Sequence, residues 1–86
     1  MNQAHPHYRK YADEIETVSR VIAANLLRLR RQNRLTLKAV SEAAGISVAH
    51  VNRIEHGHSS AHLNTLQKLA DIYGVPLSAL FECGET

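Results

Sequence analysis

The sequence predicts an all-α domain of five helices, with an extended first helix, and three observations predict it. Apolar residues recur at three- and four-residue steps along most of the chain. No stretch alternates with the period of two that marks a half-buried strand. The periodic runs are punctuated by Gly, Pro or a hydroxyl suited to capping. The 86 residues suffice for one small domain, and 44% hydrophobic residues are too many for a disordered chain. With no Trp and one Phe, the core must be built mainly from Leu, Ile, Val and Ala. A core of this size is modest, so self-association would add to its stability.

Residues 1–8 are polar, contain Pro6 and two histidines, and read as a flexible arm. The first helix is expected from about Arg9 to Asn33, where Tyr11, Ile15, Val18, Ile22, Leu26 and Leu29 hold one face with no Gly or Pro between them. Ala23 and Leu27 form a second strip, which implies a contact beyond that face. Thr36 can cap a second helix, Leu37–Ala44, which Gly45 ends. Ser47 can cap a third, Val48–Glu55, which Gly57 ends. After a loop at 58–61, a fourth helix runs from His62 or Leu63 to Tyr73, with Leu63, Leu66, Leu69, Ala70 and Tyr73 on one side and Gly74 as its stop. Pro76 suits the first turn of a fifth helix holding Leu77, Leu80 and Phe81. The domain is therefore expected over residues 9–82, with its central pair of helices at 36–57 and a short tail at 83–86.

The formal net charge is only +2, but it is unevenly placed. Between Arg28 and Arg53 lie Arg28, Arg30, Arg31, Arg34, Lys38 and Arg53 against the single acid Glu42, a local net charge of +5. The acids gather towards the ends, at Asp13, Glu14, Glu16, Asp71, Glu82 and Glu85. A basic middle of this kind suits a polyanion. No apolar run approaches the ~18 residues of a membrane span, so no membrane partner is expected. The start lacks the apolar core of a secretion signal, and a cytoplasmic location is expected. Cys83 stands alone and can form neither an internal disulfide nor a zinc site by itself.

The stretch AVSEAAGISVAHVNRIEHG breaks a helix at Gly45 and restarts it at Ser47. Two helices joined this closely must cross steeply. Val40 supplies an apolar contact, and Ser41 is small enough for the next helix to pass its backbone. Gly45 can take the left-handed conformation of the turn, and Ile46 can plug that turn into the core. Val51 and Ile54 then face inward, leaving Val48, Ala49, His50, Asn52 and Arg53 outward. A helix held in this way can enter the major groove of DNA.

From Leu26 to Phe81 the chain resembles the phage lambda repressor and Cro type of helix-turn-helix domain, the XRE family. The matching stretches are LLRLRRQNRLT, AVSEAAGIS, VNRIEHG and LNTLQKLADIYGVPLSALF. The resemblance implies a dimeric regulator that binds double-stranded DNA at a pseudo-palindromic operator, with the helix at about 47–56 in the major groove. It implies base reading by Val48, Ala49, Asn52 and Arg53, to which outward His50 is added. It implies phosphate contacts at the start of the second helix and after the third. Those positions are Thr36, Leu37, His56, His58, Ser59 and Ser60 here, with Lys38 and Ser47 beside them. It implies a structural ion pair between Arg30 and Glu55, which removes Arg30 from the DNA-facing charge. The implied dimer contact comprises Tyr73, Val75, Leu77, Leu80 and Phe81.

Several positions depart from the family pattern. Leu37 replaces a frequent glutamine, and Val48 and Ala49 replace a polar pair, leaving methyl groups that can pack on thymine. Ala61 stands where proline is common, and Arg34 where glycine is frequent, so Asn33 is expected to make the turn out of the first helix. The part of that helix before Leu26 either covers the core or enlarges the dimer. His56, His58 and His62 read as loop groups near phosphate, so no metal, cofactor or catalytic site is expected. Only five residues follow Phe81, so no small-molecule ligand is expected. RNA polymerase or another protein is the further partner left open. The alternative class is a protein-interaction module such as an antitoxin, which binds a partner protein and its own promoter.

Overall fold

The computed structural model describes residues 6–58 and 61–83, with side chains from residue 13 onward. It contains four α-helices: α1, Pro6–Gln32; α2, Leu37–Ala44; α3, Val48–Glu55; and α4, Leu63–Tyr73. A 3-10 helix follows at Leu77–Phe81, and no strand occurs among the described residues. Helix α1 starts at Pro6, three residues before the expected Arg9, and so takes in the end of the expected arm. Proline is suited to a first helical turn, because its φ is preset and the amide it lacks would have no intrahelical partner. The last element is a 3-10 helix rather than the expected α-helix. Its five residues fold after Pro76, with the Ala79 amide donating to the Pro76 carbonyl at 2.9 Å. So short a segment favours the tighter i→i+3 pattern.

Leu26, Val40, Val51, Leu69 and Leu80 are the largest fully buried aliphatic side chains, and they come from all five elements. Burying each contributes about 1.5–3 kcal/mol. Ile22, Leu29, Ile54, Leu66, Ala70 and Tyr73 close around them. Among the side chains described, the stripe along α1 is buried from Ile22 onward. Ile15 and Val18 are exposed at 63% and 42%. Leu63, expected on the inner side of α4, is the first residue of that helix and is exposed. Ala23, from the second strip on α1, is buried, and Gly57 packs beside it. A Cβ built on Gly57 would lie 3.9 Å from the Ala23 Cβ and 3.8 Å from the Ser19 carbonyl oxygen.

Asn25 sits on the same helix and is buried although polar. Its Nδ2 donates to the carbonyls of Leu80 and Glu82, each at 2.8 Å, and its Oδ1 accepts from Arg28 Nη2 at 2.9 Å. A buried amide is tolerated only when satisfied in this way. The bonds fasten the C-terminal 3-10 helix across α1. The turn out of α1 is made by Arg34, at φ 56°, and not by Asn33. Asn33 instead donates from Nδ2 to the Leu29 carbonyl at 2.7 Å, so its side chain caps the helix it was expected to end by its backbone.

Candidate nucleic-acid interface

Helix α3 is fixed at both ends. Ser47 accepts from the His50 amide at 3.0 Å, and its backbone is extended as an N-cap requires. Thr36 does the same for α2, accepting from the Ala39 amide at 3.0 Å. Between the helices, Gly45 takes φ 72° and its amide donates to the Ser41 carbonyl at 2.9 Å. The Ser41 hydroxyl donates to the Ile46 carbonyl across the turn. Ser41 is therefore a bonding partner as well as a small residue, which explains why a serine suits that place.

The inner face of α3 buries Val51, Ile54 and Glu55. Glu55 is carried inward by an ion pair. Arg30 donates to it from Nε at 2.8 Å and Nη2 at 3.1 Å, and from Nη1 to the Leu35 carbonyl at 3.0 Å. This side-on fork leaves neither carboxylate oxygen without a partner. The hydrogen bond to Glu55 is also the main reason that the Arg30 pKa lies above its ordinary value. One guanidinium thus joins three places: the end of α1, the turn into α2 and the end of α3.

The outer face carries Val48, Ala49, Asn52 and Arg53, all exposed, with His50 half-buried. Beyond the helix, His56 and His58 stand edge to face, with ring centres 6.3 Å apart. His56 Nδ1 lies 2.7 Å from the Asn52 carbonyl oxygen. A carbonyl can only accept, so Nδ1 carries the proton and Nε2 is left for a second partner. Asn52, Arg53, His56 and His58 line an open concavity of about 380 Å³. Thr36, Lys38 and Ser47 are exposed at the starts of α2 and α3, whereas Leu37 is half-buried against the core. Ser59 and Ser60 lie outside the described residues. Among the described residues, no three His, Cys, Asp or Glu side chains gather as metal ligands.

Of the residues expected at a dimer contact, Leu80 is wholly buried and Tyr73 is 7% exposed, both inside the subunit's own core. They are corrected from surface to core: Leu80 lies on the segment whose carbonyls Asn25 binds, and Tyr73 lies on the buried face of α4. Phe81 is 41% exposed, and Val75 and Leu77 are half-buried. Sequence reasoning missed Asn25. Its signal was a polar residue set between Ile22 and Leu29 on an apolar helical face.

A helix-turn-helix family model, HTH_3, matches residues 26–80. The chain is 38% identical over 61 residues to the HTH-type transcriptional regulator DdrOP3 of Deinococcus deserti, a match covering 71% of this chain and 47% of that protein. It is 36% identical over 64 residues to the HTH-type transcriptional regulator SutR of Escherichia coli, covering 74% of this chain and 36% of that one. The chain thus spans less than half the length of either regulator. A crystal structure of an HTH_3 family transcriptional regulator from Vibrio cholerae superposes with a TM-score of 0.72 at 34% identity, covering 78% of this chain and 38% of that one. A hypothetical transcription factor from Neisseria, NHTF, shares the fold with a TM-score of 0.74 at 19% identity, covering 78% of this chain and 77% of that one. With its capped helices, left-handed turn and outward third helix, this chain belongs to the XRE-type HTH_3 helix-turn-helix family.

Proposed function

We propose that this chain is a DNA-binding transcription regulator, not an enzyme, and that it places α3 in the major groove of an operator. The observation that carries the reading is the outer face of α3. Four side chains there are free of the core, while Arg30 and the Ser47 cap hold the helix rigid from behind. Asn52 can bridge N6 and N7 of adenine, Arg53 can fork onto guanine, and Val48 and Ala49 can lie against thymine methyls. His50 is the fifth base-reading candidate. Thr36, Lys38, Ser47, His56, His58, Ser59 and Ser60 are the proposed phosphate neighbours. The relatives named as transcriptional regulators support this reading.

The chain acts as a homodimer in the cytoplasm, repressing or autoregulating from a pseudo-palindromic site. Phe81, Val75 and Leu77 are the contact residues left accessible at the C-terminal end of the domain. Selection of bound duplexes from a random pool tests the whole reading. It should return an inverted repeat whose half-sites lie about 34 Å apart, one helical turn. An unstructured pool with no enriched motif would refute sequence-specific binding. The exposed Ile15 and Val18 favour the second reading, a module that binds a partner protein. A pure module of that kind shows negligible binding to random duplex at low salt.

A further inference from the structure

The turn between α1 and α2 contains an unusual residue choice. Arg34 has φ 56°, the only non-glycine residue with positive φ among the described residues, whereas Gly45, Gly57 and Gly74 occupy the other left-handed positions. A side chain with a Cβ is disfavoured in that conformation, and glycine adopts it freely. The turn itself gives no reason for arginine. The Arg34 amide donates to the Arg31 carbonyl at 3.0 Å, a backbone bond that any residue but proline supplies. Arg34 is exposed, and it has no acidic partner among the described residues. Its charge is unused within the subunit.

Its position is set by the neighbouring residue. Leu35 offers its carbonyl to Arg30 Nη1 at 3.0 Å, and the same guanidinium holds Glu55 at the end of α3. Leu35, next to Arg34, therefore lies within one guanidinium's span of Glu55 at the C-terminal end of α3. Glu55 is adjacent in sequence to His56, which lines the open concavity with Asn52, Arg53 and His58. Arg31 and Lys38, also exposed, flank the turn from α1 and α2. We propose that Arg34 is a phosphate-binding residue of the protein–DNA complex, kept at a left-handed turn because its charge there faces the duplex backbone. The inference rests on the DNA-binding reading above.

The test is a duplex titration across salt concentrations with four proteins: wild type, Arg34→Gly, Arg34→Lys and Lys68→Ala. Lys68 is an exposed lysine on α4 and controls for the loss of one unit of net charge. Arg34→Gly removes both the charge and the disfavoured backbone, so its Tm should hold or rise, by up to about 5 °C. Its affinity should fall about fivefold at 0.15 M salt on selected and random duplexes alike, with the slope of log K against log salt shallower by about one. Arg34→Lys should keep most of the affinity and slope, and Lys68→Ala should change affinity by less than about twofold. Arg34→Gly behaving like Lys68→Ala overturns the inference while leaving the regulator reading intact. A loss confined to the selected duplex overturns it too, since that marks a base reader. Wild-type protein that binds no duplex at low salt overturns both.

Discussion

Helix α1 supplies the arginine of two arginine–glutamate pairs with nearly the same closest approach and very different surroundings. Arg20 and Glu16 meet at 2.7 Å with side chains 74% and 63% exposed. Arg30 and Glu55 meet at 2.8 Å with side chains 16% and 3% exposed. The first pair joins adjacent turns of a single helix. The second joins residues 25 apart in sequence and holds a turn as well. Distance alone would rank them equal, yet water and ions screen the first and hardly reach the second. The lesson reaches function. The half of α1 that supplies Arg30 fixes α3, the helix proposed to read DNA, and the half with the exposed pair carries the open apolar side chains of Ile15 and Val18.

The comparison breaks most readily at Glu55. Glu55→Gln should cost about 3–5 kcal/mol in urea unfolding, because Arg30 is left charged and half-enclosed with no counter-ion. That is much of the stability of so small a domain. A cost near that of an exposed pair would erase the distinction. Asn25→Leu comes next, at roughly 2–3 kcal/mol, since it strands the Leu80 and Glu82 carbonyls without their donor. It extends the contrast from charges to a neutral amide, and the same unfolding assay reads it.

Tyr73 sharpens the comparison from the other side. Burial first, and then the nearby Glu55 charge, push its pKa up to about 12 from 10.0, while the Arg30 charge opposes them. The folded state thus holds the phenol proton more tightly than the unfolded chain. The associated stability is fully present below about pH 10 and is lost as the pH rises towards about 12. Between pH 9 and 11 the loss should be about 1 kcal/mol, and Tyr73→Phe should abolish that share of it. An unchanged alkaline slope in Tyr73→Phe would show that neither burial nor the Glu55 charge raises the phenol's pKa. The smallest effect belongs to Glu16→Ala, below about 0.5 kcal/mol and vanishing in 1 M salt.

The short central elements were legible in the sequence because their signals are local. Thr36 and Ser47 announce starts, Gly45, Gly57 and Gly74 announce stops, and Val51 and Ile54 three apart define an inner face. The pairing of Arg30 with Glu55 came from the family resemblance, since nothing local links residues 25 apart. What stayed hidden depends on tertiary contacts. Leu80 and Phe81 are adjacent and both apolar, and it is the tertiary packing, with the Asn25 bonds to the Leu80 and Glu82 carbonyls, that buries the first and leaves the second exposed. Ile15 and Ile22 share one periodic stripe, but the domain covers only the latter. Arg34 took the turn against the local preference of its neighbour Asn33.

The outer face of α3 is tested most directly by titrating a selected operator duplex with wild type and with Asn52→Ala/Arg53→Ala, alongside urea unfolding of both. Wild type should bind with an affinity that falls steeply and linearly in log salt. The double variant should unfold like wild type, both side chains being exposed, yet bind at least about tenfold more weakly, with roughly 1–3 kcal/mol of the loss due to Arg53. A flat salt response, or equal binding by a folded double variant, would contradict DNA reading by this helix.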